Sequence, residues 1–172
     1  MTSLAVFLLT FSGMEMIAYS AHRWLMHGPG MVWHRSHHAP ARTLIERNDL
    51  FPLCFSAVGV GLAVVAATGR APASSWAAAA GVTAYGVAYL AVHEIVIHRR
   101  LSLPVPDLRY LRWLRDSHRA HHIDAGEPYG MLLPLMSAAR RRRAAAARQA
   151  SSADDDLLWR ARMRPMRNRL KR

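Results

Sequence analysis

The chain has 172 residues, one domain's worth, with a formal net charge of +12 and 52% apolar residues. Long apolar runs alternate with arginine-rich stretches, the composition of a small integral membrane protein rather than a soluble globule. Nucleic acid is a poor partner for this charge, because the basic residues flank apolar spans instead of lining one folded face.

Three stretches are long and apolar enough to cross a bilayer. The first runs from about Leu4 to Leu25 and is interrupted by Glu15. A carboxylate is costly in lipid, so Glu15 is expected to face protein or the metal-site end, as a structural partner ahead of any direct role in the chemistry. No basic n-region precedes this span, which argues against a cleaved signal peptide, and the span is expected to be retained. The second runs from about Leu50 to Thr68, with Pro52 tolerated in its first turn. Its lone cysteine, Cys54, reads as a small buried hydrophobe, and Gly59, Gly61 and Ala63 as a small side suited to close helix packing. The third runs from about Ser75 to Ile97 and opens on Trp76, an interface anchor. Tyr85 and Tyr89, one turn apart on this span, are either packing residues or walls of a substrate groove.

Beyond the third span, Asp107 to Arg115 places Arg109, Arg112 and Arg115 beside Leu108, Leu111 and Leu114, the start of an amphipathic interfacial helix. Met131 to Ala139 is too short to cross and reads as an interfacial or re-entrant piece. The fold expected is therefore an all-α integral membrane protein of about three transmembrane helices plus cytoplasmic or interfacial helices. Residues 1–139 form the membrane-embedded unit. Residues 140–172 form a basic tail, with an acidic helix start at Asp154 to Asp156, held near anionic lipid or available to an acidic electron-transfer partner. Of the 23 Lys and Arg residues, Arg70 alone lies in the loop joining the second and third spans. Arg23, Arg35, Arg42, Arg47, Arg99 and Arg100 crowd the other side, which the positive-inside rule makes cytoplasmic, in the cytoplasmic membrane.

All ten histidines fall in four clusters: His22 and His27; His34, His37 and His38; His93 and His98; His118, His121 and His122. The parity of three spans brings all four to the same membrane face. The i, i+3, i+4 triplets put three imidazoles on one helix face, able to give two ligands to one ion and a third to its neighbour. The pairs five apart suit a helix end, or two ions approached from different directions. Ten imidazoles exceed what a single zinc takes and match a two-metal centre with four or five per ion. Imidazole alone does not choose among zinc, copper, iron and nickel. Glu94, Asp116 and Asp124 lie adjacent to a cluster or within two residues of one, where carboxylates that orient ligand imidazoles often stand. No flavin or dinucleotide glycine motif is present, so a redox reaction here needs a separate reductase.

The ordered set His-x4-His, His-x2-His-His, His-x4-His, His-x2-His-His resembles the bacterial and plant non-haem β-carotene hydroxylases of the fatty acid hydroxylase/sterol desaturase superfamily. The resemblance extends to Gly13 to Ile17, Met26 to Gly28, Trp33 to Pro40, Glu46 to Leu50 and Thr83 to Gly86, and covers roughly residues 10–135. It implies a di-iron monooxygenase of carotenoid biosynthesis that uses O2 to hydroxylate C3 of a β-ionone ring. β-Carotene would pass through β-cryptoxanthin to zeaxanthin, with two iron ions held by all ten histidines and electrons from a ferredoxin-type donor. Two departures stand out: His93 is followed by Glu94 where the family usually has Asp, and Ile123 to Gly130 is diverged. The same centre could act on a fatty acyl chain, a sterol, a sphingoid base or another carotenoid position. A membrane metal-binding or transport protein is the less favoured alternative, because a transporter's ligands would sit near the bilayer midplane rather than at span ends, and three spans leave little room for a transport path.

Overall fold

The computed structural model describes residues 2–39, 45–101 and 103–142; the acidic Asp154 to Asp156, Arg42 and most of the basic tail lie outside the described residues. Among the described residues every regular element is helical. Helix α1 (Ser3–Ser20) starts where Thr2 accepts a hydrogen bond from the Ala5 N–H at 3.3 Å. It continues without a break into a π-helical turn, Ala21–Met26. Helix α2 (Met31–His38) follows a tight turn. Helix α3 (Leu50–Ala67) opens from a short 3₁₀ turn, Arg47–Asp49, held by a reciprocal capping box between Glu46 and Asp49. Gly69, at φ 68, reverses the chain after α3. Helix α4 (Ser74–Tyr89) runs straight into a second π-helical turn, Leu90–Ile97, and α5 (Arg109–Asp124) is the amphipathic helix.

Three continuous helical stretches are apolar and long enough to cross a membrane: Ser3–Met26, Arg47–Ala67 and Ser74–Ile97. They coincide with the three expected spans to within a few residues. Large apolar side chains such as Leu9, Leu53, Val60 and Val87 are more than half exposed on their outer faces, where lipid rather than water solvates them. Helix α4 is central: it packs against both α1 and α3, which scarcely touch each other. A Cβ on Gly81 would stand 2.8 Å from the Phe7 carbonyl oxygen, so glycine there lets α1 and α4 approach backbone to backbone. Met14, Val82 and Tyr85 form the buried centre, with Phe11, Phe55 and Leu132 around it.

Two expectations about α3 are corrected. Cys54 is exposed, on the outer face of the helix rather than in the core. Gly59 meets Val82 at 3.3 Å as a packing glycine should, but Gly61 has nothing within 4 Å of its Cβ position. Residues two apart on a helix point to opposite sides, so the two glycines never shared a face.

Candidate metal centre

The two histidine pairs five residues apart both lie on π-helical turns. The His27 N–H donates to the His22 carbonyl at 3.1 Å, and the His98 N–H donates to the His93 carbonyl at 3.0 Å. This i→i+5 bonding brings residues five apart toward one face, which an α-helix would not do. Each pair therefore serves one group of imidazoles. Helices α2 and α5 divide their triplets instead. His34 and His38 join His22, His27 and His121, while His37 joins His93, His98 and His118; within each group the ligand atoms lie within 4.8 Å of one another. His122 adds to the second group, its Nε2 standing 3.0 Å from His37 Nε2 and 2.9 Å from His118 Nε2. All ten histidines are thus gathered, five around each of two points.

The residues fit metal ions on chemical grounds. In the first group Nε2 approaches Nε2 at 3.2 Å for His22 and His34, 3.0 Å for His27 and His121, and 3.2 Å for His34 and His38. In the second, His98 and His118 stand 3.1 Å apart. A first-row ion at about 2.0–2.1 Å from each nitrogen holds neighbouring ligands about 3 Å apart. Four of the outward nitrogens are already bound. His22 Nδ1 donates to the Tyr129 carbonyl at 2.9 Å, His34 Nδ1 to Asn48 Oδ1 at 2.7 Å, and His121 Nδ1 to the Gly126 carbonyl at 2.5 Å. His93 Nδ1 lies 2.6 Å from Glu94 Oε1. With the proton on Nδ1, the Nε2 lone pairs of these imidazoles point inward, an arrangement that repels unless a cation sits between them.

Glu94 is therefore on an imidazole, whereas Asp124 is not: its carboxylate binds the Arg140 guanidinium and the Gly126 N–H. Arg140 also donates to the Ala120 and Glu127 carbonyls, so this residue of the expected tail belongs to the fold. Asp116 is half-buried on α5. Several contributors carried no mark as ligand partners. Asn48 orients His34, and Glu46 stands 3.7 Å from His37 Nδ1. Arg100, nearly buried, bridges Glu46, Asp49 and Glu94 at 3.0, 2.9 and 2.7 Å, tying the carboxylates beside His37 and His93 into one network. The run Glu46 to Leu50 was the available signal.

Burial, reinforced for most by neighbouring imidazoles, pushes His34, His38 and His121 down from 6.5 to about 3, 4 and 2, against the pull of Asn48 on His34 and of the Gly126 carbonyl on His121. His37, His98, His118 and His122 shift the same way. Neutral imidazole is the form that binds metal. The sign follows: folded values below the unfolded one favour the fold above pH 6.5 and lose that contribution as pH falls. Metal-stripped protein is expected to melt at a lower temperature at about pH 5.5 than at about pH 7.5. Equal melting temperatures would contradict the buried, neutral imidazoles.

An apolar cavity of about 400 Å³ ends on this centre. It runs between α1 and α3 along α4, from Ala63 and Val82 up to His22, His34 and His93, so it touches both imidazole groups. Tyr85 and Tyr89 line it, and Tyr85 is also part of the buried core, so the two alternatives for these residues are not exclusive.

The fatty acid hydroxylase family model matches residues 7–139, about three-quarters of the chain. The chain belongs to the fatty acid hydroxylase family. Within it, the chain is 41% identical over 120 residues to the β-carotene hydroxylase of Pantoea ananas, covering 69% of this chain and 67% of that one. It is 38% identical over 131 residues to the β-carotene hydroxylase of a Paracoccus species, covering 75% and 80%. The chloroplastic β-carotene 3-hydroxylase 1 of Arabidopsis thaliana is 36% identical over 126 residues, 70% of this chain and 41% of the plant protein. No solved structure matches.

Proposed function

We propose that this chain is a monooxygenase that hydroxylates C3 of the β-ionone rings of β-carotene, giving β-cryptoxanthin and then zeaxanthin. The observation that carries the reading is the apolar cavity that ends on both imidazole groups, in a chain whose relatives bear the name β-carotene hydroxylase. His22, His27, His34, His38 and His121 hold one iron ion; His37, His93, His98, His118 and His122 hold the other. When bound, the two ions would activate O2 for attack on an unactivated C–H bond. One oxygen atom of O2 enters that bond, and the other leaves as water with two electrons and two protons from a ferredoxin-type donor and solvent.

The chain's own part is positioning and exclusion of water. The cavity extends from His93 down to Val82, eleven residues and about 16 Å along the helix axis. A long polyene therefore inserts one end, with the remainder in lipid. Nδ1 contacts to Tyr129, Asn48, Gly126 and Glu94 hold the imidazoles fixed while substrate arrives. The histidine face lies on the cytoplasmic side of the cytoplasmic membrane, where Arg23, Arg35, Arg47 and Arg99 cluster and a soluble donor has access.

Expression in a β-carotene-accumulating bacterial host, with iron and a reductase system supplied, tests the substrate. Zeaxanthin and β-cryptoxanthin are the expected pigments. Unchanged β-carotene overturns the carotenoid reading in favour of another lipid. Gly86 gives a finer check, because it lines the cavity with nothing within 4 Å of its Cβ position. Gly86→Leu is expected to lower kcat/KM roughly 10- to 200-fold with iron content unchanged. Full turnover in that variant would place the substrate elsewhere.

A further inference from the structure

Glu15 lies midway along the first spanning helix and is nearly buried. Its Oε1 accepts from the backbone N–H groups of Met131, Leu132 and Leu133 at 2.9, 3.0 and 2.8 Å. Its Oε2 accepts from the Leu132 N–H at 3.1 Å and from the Tyr85 hydroxyl at 2.6 Å. Every partner is a donor, which suits an acceptor-only group. Three successive N–H groups closing on one carboxylate make a backbone anion nest. A non-helical segment at membrane depth keeps its backbone only where protein satisfies it, and Glu15 does so here. Gly130 leaves the room: a Cβ there would stand 2.8 Å from Glu15 Oε1 and 2.3 Å from the Leu133 carbonyl oxygen.

The same segment carries the Gly126 and Tyr129 carbonyls that fix His121 and His22, both in the first imidazole group. Tyr129, whose carbonyl holds His22, and Met131, whose N–H is held by Glu15, are only two residues apart, at most about 7 Å of chain. Gly130 alone separates the two pins, so a displacement at Glu15 is passed on to His22. The second group takes its outward contacts from Glu94 and Glu46, away from this strap.

We infer that Glu15 is a positioning residue for the first imidazole group, acting through the strap of residues 126–133. It touches neither substrate nor metal. The inference rests on the two-ion reading, which fails separately if the wild-type protein binds no iron. The test uses full-length protein in lipid nanodiscs, loaded with Mössbauer-active iron. Glu15→Gln keeps the shape but turns an amide N–H₂ toward donors. It is expected to retain two irons, to alter the spectral signature of one and not the other, and to lower kcat roughly 10- to 100-fold with little change in KM. Gly130→Ala, which presses on the carboxylate from the strap side, is expected to alter the same signature. Two unaltered signatures, or both altered equally, overturn the proposal. Failure of both variants to fold also overturns it, since Glu15 would then only hold the fold together.

Discussion

His121→Ala is expected to bring the iron content down from two ions toward one per chain and to lower turnover by more than about 100-fold, above the range seen for losing an outer hydrogen-bond partner. His121 is fully buried, and its Nε2 meets His27 Nε2 at 3.0 Å inside the first group. Removing it leaves the first group with four imidazoles, His22, His27, His34 and His38. His37→Ala should do the same to the second group, where His37 stands 3.4 Å from His118 and 3.0 Å from His122. Metal analysis of each purified variant, beside the pigment assay, checks both. Undiminished iron with full hydroxylation in either variant would remove that histidine from the ligand set.

Arg100→Leu carries the second large effect. The guanidinium is the shared partner of Glu46, Asp49 and Glu94, and its side chain is only 10% exposed. Taking one partner from a buried ion network leaves uncompensated charge, at a cost of about 3–5 kcal/mol. Three carboxylates would then face one another, and Glu94 and Glu46 would lose the anchor that keeps them beside His93 and His37. The variant should melt well below wild type and hold its second ion weakly. Arg100→Lys should recover only part of the loss, because an ammonium lacks the planar fork that serves three partners at once. A melting temperature equal to wild type would show the network to be dispensable.

Much of this was legible in the amino-acid sequence because it is written in residue type. Apolar length marks the three spans, and the i, i+3, i+4 triplets mark the faces of α2 and α5. The π-helical turns were not legible: five-residue spacing in the pairs left open whether each pair served one ion or two. Nor were the Gly126 and Tyr129 carbonyls, since a backbone acceptor has no residue code. Asp124 misled for a related reason. It stands two residues from His122, but at the end of α5 its carboxylate turns to Arg140. Cys54 misled because apolar surroundings in sequence do not distinguish a core from a lipid-facing surface. Glu15 was expected to meet protein and does, but its partners lie 70 to 118 residues away, beyond any local pattern.

The most direct measurement supplies purified protein with β-carotene, a ferredoxin-type donor system and isotopically heavy dioxygen, then weighs the product by mass spectrometry. β-Cryptoxanthin and zeaxanthin carrying one heavy oxygen atom per hydroxyl group are the expected products. Unreacted β-carotene, or hydroxyl oxygen drawn from water, would contradict the monooxygenase reading.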